Sequence, residues 1–314
     1  MKKMYQITAV AALALCLPLL IFFRPDRSVD DLKGQYANQY SRFLWLEGMP
    51  VHYRDEGPVS DSMPMVLLHG TASSLHTWDG WVDSLRLTRR CIRFDLPGYG
   101  LTGPHPARDY SMDRYAALTH AVLDSLGVQR CILAGNSLGG AIAWMTALKY
   151  PERVSALILV DPAGVPFTPR QIPAGFQAAR NPVLRVLGRW ITPRFLVARS
   201  TREVYSHPER VADDLVQRHY DLLLRSGNRQ ALGDRFRNPA PALPYTRLQE
   251  LHQPVLLMWG ADDRLIPSET AVVFKQYLPN DALVVFPGLG HVPMEEGAAE
   301  TVQTVKRWLT SVQW

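Results

Sequence analysis

The sequence predicts an α/β protein: a mostly parallel sheet with helices on both faces and a block of helices inserted near its middle. Two observations lead there. Short continuous apolar runs at 64–69, 90–95, 130–136, 156–161 and 254–260 are spaced by helical patterns, as expected of strands covered on both faces. From about 162 to 250 the alternation stops, and the chain becomes helical, arginine-rich and punctuated by proline. That stretch reads as a helical cap inserted after the sixth strand.

Bulk properties agree with one large domain. The chain has 314 residues, 47% apolar and 20% charged, with a formal net charge of +5, which is ordinary globular material with enough apolar residues for a sizeable core. No run of like charges and no basic motif interleaved with aromatics is present, so a nucleic-acid partner is not expected. Cys16, Cys91 and Cys131 form no CxxC pair and no metal-ligand spacing, which argues against a disulfide framework or a zinc site.

Lys2 and Lys3 precede an apolar stretch from Tyr5 to Phe23, which then meets Arg24, Asp26 and Arg27. About 19 residues at 1.5 Å each nearly span a hydrocarbon core. Residues 1–23 are therefore expected to be a membrane anchor in preference to a cleaved signal, attaching the chain to a membrane through residues 5–23. The catalytic domain is then expected outside the cytoplasm, in the periplasm of a bacterium. Residues 24–41 read as a polar, irregular linker, and 42–314 as the folded domain.

The elements follow in order. Runs at Arg42–Glu47 and Val51–Asp55, separated by Gly48-Met49-Pro50, give a hairpin. Strands follow at Pro64–His69 and Arg90–Asp95. Ser111 caps a helix carrying Tyr115, Leu118, Val122 and Leu126, and Gly127 ends it. A strand at Arg130–Asn136 leads into a helix at Leu138–Tyr150, stopped by Pro151. After the strand Ala156–Asp161 and the cap come a strand at Pro254–Gly260, a helix from about Ser268, a strand at Ala282–Phe286 and a helix near Glu295–Val312.

Gly135-Asn136-Ser137-Leu138-Gly139 is a G-x-S-x-G motif lying between a predicted strand and a predicted helix, the context in which such a serine is a nucleophile. A serine on so sharp a turn has a strained backbone, and only small neighbours let the chain pass that closely. The hydroxyl needs a base to take its proton. Of the later histidines, His207, His219 and His252 read as surface residues. His291 sits in a loop after the last strand, where a base can reach across the sheet top. The orienting acid is expected to be Asp263, after the strand 254–260, with Asp262 and Asp161 as alternatives. The oxyanion hole is expected from the N–H groups of Leu138 and Thr71. His69 and Asp95 read as loop-stabilising residues.

Together His69-Gly70, Asp95-x-Pro-Gly-Tyr-Gly100, Gly135-Asn-Ser-Leu-Gly-Gly140, Trp259-Gly-x-x-Asp263 and Gly290-His291 resemble the α/β-hydrolase superfamily, in the order Ser, Asp, His. The resemblance covers nearly everything from about residue 42 except the cap. It implies a mostly parallel eight-stranded sheet. Gly135-Asn-Ser-x-Gly-Gly-Ala-Ile142 and Gly290-His-Val-Pro-Met-Glu295 are similar to bacterial lipases and esterases of family V. That likeness implies an enzyme cleaving carboxylic esters through an acyl-enzyme, with a small-molecule or lipid ester as substrate, no cofactor and no metal. The alternative is hydrolysis of a carbon–carbon bond in a ring-fission product, whose enzymes carry a similar Gly-Asn-Ser-x-Gly-Gly. They often place tryptophan after the catalytic histidine, where this chain has Val292. A further alternative is a non-catalytic binding protein on the same scaffold. In the cap, Phe167, Phe176, Leu184, Leu187, Trp190 and Phe195 are candidates to line an acyl pocket. Its arginines, including Arg180, Arg185, Arg189, Arg194 and Arg199, read as a solvated helix face.

Overall fold

The computed structural model describes residues 21–237 and 242–312. Eight strands make one sheet: β1 (Ser41–Leu46), β2 (Met49–Glu56), β3 (Met65–Leu68), β4 (Cys91–Phe94), β5 (Cys131–Asn136), β6 (Val154–Val160), β7 (Val255–Gly260) and β8 (Asp281–Phe286). Their order across the sheet is β1-β2-β4-β3-β5-β6-β7-β8. β2 is antiparallel to both neighbours, and the other pairings are parallel. The expected mostly parallel eight-stranded sheet is present.

The local chemistry explains the strands. Along β3, Val66 and Leu68 face one buried layer while Met65 and Leu67 face the other, because successive side chains point to opposite faces. β3, β4, β5 and β6 are buried at every position, hence their mostly apolar sequence, and the one buried cation among them, Arg93 of β4, is paired with Glu56 at 3.0 Å. Each fully buried Leu, Ile or Val contributes about 1.5–3 kcal/mol against exposure. The β1–β2 turn falls one residue earlier than expected. Leu46 pairs with Met49, and Glu47 and Gly48 form a two-residue turn with φ of 51° and 79°. Positive φ at both positions suits a tight hairpin, and Met49 and Pro50 join β2.

Helices α1 (Val29–Tyr36), α2 (Asp79–Leu85), α3 (Met112–Ser125) and α4 (Leu138–Lys149) precede the cap. Ser111 caps α3, its Oγ accepting from the Arg114 N–H at 3.3 Å. α3 and α4 pack together, and α2 packs against the terminal helix, where Trp81 Nε1 donates to Thr301 Oγ1 at 2.9 Å. The cap carries α5 (Ala174–Arg180), α6 (Pro182–Leu187), α7 (Arg194–Arg202), α8 (Asp213–Leu223) and α9 (Asn228–Arg237). After β7 come α10 (Ala271–Tyr277), α11 (Pro293–Glu296) and α12 (Ala298–Ser311). Helix α2, between β3 and β4, has no counterpart among the elements expected from sequence.

The amino-terminal expectation requires correction. Among the described residues no helix is long and apolar enough to cross a membrane. The anchor, the membrane attachment through residues 5–23 and the extracytoplasmic placement built on them are withdrawn accordingly. Residues 1–20 of that stretch lie outside the described residues. Its described end packs on the cap: Phe23 bridges to Ile191, the Thr192 N–H donates to Phe22 O at 3.1 Å, and the Phe22 and Phe195 rings meet edge-on at 5.8 Å. Hydropathy alone does not distinguish apolar residues that meet lipid from those that meet a neighbouring helix.

Residues 24–41 also depart from an irregular linker. Ser28 forms a reciprocal capping box with Asp31 that starts α1, and Leu32 and Tyr36 are buried. Asp26 pairs with Arg229 of α9 at 2.5 Å, and Arg27 with Asp221 of α8 at 2.6 Å. The segment is a strap fastened to the cap.

Candidate active site

Ser137 stands between β5 and α4 with φ 53° and ψ −114°, a backbone state that costs a non-glycine residue about 1–3 kcal/mol. Neighbouring glycines make the turn possible. A Cβ on Gly135 would lie 2.2 Å from Gly139 O, and one on Gly139 would lie 2.1 Å from Leu68 O. A Cβ on Gly70 would press on Asn136 Oδ1 at 2.8 Å and Ser137 Cβ at 3.3 Å. The loop after β3 therefore lies directly against the serine turn.

Asp263 and His291 meet after β7 and β8. His291 Nδ1 lies 2.6 Å from Asp263 Oδ2, and both side chains are buried. Asp263 Oδ1 accepts the N–H groups of Leu265 at 2.8 Å and Ile266 at 3.0 Å. The carboxylate is thus held on both oxygens and presents one of them to the imidazole. Ser137 and His291 line the same cavity, of about 170 Å³. No hydrogen bond joins their side chains; such contacts are often long in unliganded enzymes and tighten with substrate. Thr71 also lines this cavity. Leu138 opens α4, at the helix end where unpaired N–H groups favour negative charge.

The alternative acids occupy other positions. Asp262 Oδ2 accepts from Ser206 Oγ at 2.5 Å. Asp161 directly follows β6, and a carboxylate oxygen each of Asp161 and Asp263 and a ring nitrogen of His291 all lie within 4.8 Å of one another. His69 is fully buried; its Nδ1 faces Gly70 O at 2.8 Å and its Nε2 accepts the Leu96 N–H at 3.0 Å. Burial lowers its pKa, and the neutral ring ties two loops together. Asp95 accepts from the N–H groups of Leu75 and Leu101 at 2.8 Å each and contacts His52 Nδ1 at 2.7 Å. Burial is the largest influence and opposes its charge, but the His52 hydrogen bond and the histidines around it together hold the carboxyl well below the usual range.

Several contributors had no clear signal in the sequence. Asn136 donates from Nδ2 to His291 O at 3.0 Å and to Val160 O at 3.2 Å, so the residue before the serine holds the histidine loop. Glu296 accepts the N–H groups of Gly290 at 2.7 Å, Ser206 at 3.1 Å and His207 at 3.0 Å, joining that loop to the cap. His219, expected at the surface, lines the cavity instead, with Nδ1 at 3.1 Å from Ala72 O. Burial lowers its pKa to about 4, which keeps the ring neutral. Asn136 occupies a variable position of the motif, which fixes no role for it; the others depend on long-range contacts.

The cap supplies most of the cavity wall, including Phe176, Leu184, Ile191, Val197 and Leu232. Phe176 and Leu184 were expected there. Phe167, Leu187, Trp190 and Phe195 are instead exposed by 39%, 41%, 59% and 64% and are absent from the lining. Two ionised lining residues already have partners. Arg229 pairs with Asp26 and donates to Thr192 Oγ1 at 3.0 Å, and Glu295 takes Arg218 at 2.6 Å and Thr77 at 2.8 Å. Arg185, half-buried on α6, also lines the cavity.

A strained serine between strand and helix, a buried histidine–carboxylate pair and a capped cavity at the carboxyl ends of parallel strands define a hydrolase of the α/β class. Residues 63–298 match the alpha/beta hydrolase fold family, and the chain belongs to it. It is 28% identical over 284 residues to a 2-hydroxymuconate semialdehyde hydrolase of Pseudomonas putida, covering 88% of this chain and 96% of that protein. A meta-cleavage product hydrolase from Pseudomonas fluorescens superposes with a TM-score of 0.76 at 22% identity, over 87% of this chain and 98% of that one. A membrane phospholipase A, described as a bacterial virulence factor, superposes with a TM-score of 0.74 at 23% identity over 99% of both chains. At such identities the structures attest the fold alone. The sequence relative's name matches the carbon–carbon alternative better than the ester reading.

Proposed function

We propose that the protein is a serine hydrolase acting on carboxylic esters with an uncharged, apolar acyl group. The observation that carries this reading is the cavity: Ser137 and His291 open onto mainly apolar cap side chains, while Arg229 and Glu295 are already paired within the protein. An apolar acyl chain gains from burial there. In the proposed reaction Ser137 Oγ attacks the ester carbon, and its proton passes to His291. Asp263 orients the imidazole and stabilises the imidazolium. The N–H groups of Thr71 and Leu138 receive the oxyanion. His291 returns the proton to the leaving alcohol, and water then hydrolyses the acyl-enzyme. Similarity of the Ser137 and His291 motifs to family V lipases and esterases supports the same reading.

A second reading is favoured by the name of the relative from Pseudomonas putida. Hydrolysis of a carbon–carbon bond next to a ketone in a ring-fission product could employ the same serine and histidine. The carboxylate of such a substrate calls for a cation, and Arg185 is the half-buried one in the cavity wall.

The test uses the full chain and its Ser137→Ala variant on p-nitrophenyl esters of graded acyl length and on a ring-fission dienol carboxylate. Ester turnover lost in the variant supports the first reading. Turnover of the dienol acid alone, with a raised KM in Arg185→Met, replaces it with the second. A folded protein that cleaves neither and resists a fluorophosphonate probe refutes both and favours a binding role.

A further inference from the structure

Asp161 is the second buried carboxyl of the site, and the proposed reaction gives it no task. It lies at the end of β6, fully buried, in the left-handed region at φ 43°. Its backbone N–H donates to Met258 O at 2.9 Å, and its Oδ1 accepts the Gly260 N–H at 3.0 Å. These bonds tie it to β7, the strand that carries Asp263. Its other oxygen, Oδ2, is buried with no hydrogen-bond partner assigned to it. A carboxylate oxygen of Asp161 belongs to a cluster in which Asp161, Asp263 and His291 atoms lie within 4.8 Å of one another. The titratable groups around it are Asp263, His291 and Glu296, and among the described residues no arginine or lysine forms an ion pair with it.

Two carboxylates this close and this deeply buried repel strongly when both are ionised, because low dielectric magnifies the interaction. Asp263 has a partner for its charge on each oxygen: two backbone N–H groups and the imidazole. Asp161 has one backbone N–H. A proton in the pair therefore resides on Asp161, where it also gives the orphan oxygen a donor role.

We propose that Asp161 is a positioning residue: a neutral carboxylic acid that donates its Oδ2 proton to the Asp263 carboxylate. The inference rests on the reading of Asp263 and His291 as a catalytic pair. Burial first, and the Asp263 charge second, push the Asp161 pKa well above the usual range, in agreement with this assignment. The hydrogen bond restrains rotation of the Asp263 carboxylate, keeping one oxygen on His291 Nδ1. It also keeps a second negative charge from over-stabilising the imidazolium, which would weaken His291 as a base at neutral pH.

Two measurements test this. In the wild-type protein at neutral pH, infrared spectroscopy should show a deuterium-sensitive C=O stretch of a protonated carboxyl that disappears in Asp161→Asn. This readout does not depend on turnover. In ester hydrolysis, Asp161→Asn retains an N–H donor and should keep the acid limb of the kcat/KM profile in place, with activity within about threefold of wild type. Asp161→Ala should lose about tenfold in kcat with little change in KM. A missing carboxyl band overturns the proposal. So does an acid limb displaced downward by about one pH unit in Asp161→Asn, which would mean that the native residue is charged. If the band is present but no ester or dienol acid is hydrolysed, the functional reading fails while the shared proton stands.

Discussion

Replacing Gly139 by alanine tests whether the serine turn depends on close packing of α4 against β3. A Cβ at that position would lie 2.1 Å from Leu68 O, 2.6 Å from Leu68 C and 2.7 Å from His69 O. All three are backbone atoms, so no flexible side chain can yield. Ordinary contact begins near 3.4 Å, and the start of α4 must retreat by more than 1 Å. Overpacking of this kind costs about 1–3 kcal/mol. Ser137 immediately precedes the displaced turn, and misplacing a nucleophile by 1 Å can cost about 100-fold in rate. Gly139→Ala should therefore lower the urea midpoint with little change in the m-value, and reduce kcat/KM for the best ester by about two orders of magnitude. A variant with the wild-type midpoint and full turnover would falsify the argument that backbone approach builds the site.

Other substitutions probe separate terms. Gly34 lies inside α1 without a positive φ, and a Cβ added there would meet nothing within 4 Å, so Gly34→Ala should raise stability by about 0.5–1 kcal/mol in a thermal melt. Asp26→Ala leaves the buried Arg229 guanidinium without its carboxylate. Because Asp26 is 42% exposed, the loss should be about 1–2 kcal/mol, below that of a fully buried pair, and combining it with Arg229→Met should recover part of it in a double-mutant cycle. His76 is buried and His219 half-buried at the cavity, with pKa values lowered to about 3 and about 4, in both cases mainly by removal from water. The unfolded chain takes up protons below about pH 6.5 before the native state does, so stability is fully present above that pH and is lost as pH falls toward 4. Chemical denaturation at stepped pH should show this slope, and His219→Gln should make it shallower; an unchanged slope would mean that His219 takes up its proton as readily in the native protein as in the unfolded chain.

Much of the scaffold was written in local pattern. Strands buried on both faces call for mostly apolar runs, and the helix at 112–125 announces itself through Ser111 and Gly127. The turn around Ser137 is legible for the same reason: its glycines are adjacent in the chain and answer a local steric demand. His291 and Asp263 could be named from their places after the last strands, since parallel topology carries those strand ends to one edge. α1 was less visible, because its capping box sits in a polar stretch whose docking partners, Asp221 and Arg229, lie about 200 residues away. The apolar segment ending at Phe23 misled for a related reason. Composition records that a side chain avoids water and does not record what it meets instead, and the Phe22 ring meets Phe195 of the cap.

Tertiary structure alone decided which residues turn inward and what their charges do. His219 and Phe195 both lie on cap helices, yet one is half-buried in the cavity wall and the other is exposed. The helix packing of the cap, which no short sequence window contains, separates them. Asp161, Asp262 and Asp263 are chemically identical carboxyls, and only the loops after β6 and β7 send one to the histidine, one to Ser206 and one into the wall behind. The sequence by itself determined the sheet, the strained serine and the order of the chemistry-bearing residues, because those follow from nearest-neighbour sterics and periodicity. The cavity and the meeting of Asp161, Asp263 and His291 depend on burial and on separations of a few ångströms between distant parts of the chain, and these exist only in the folded protein.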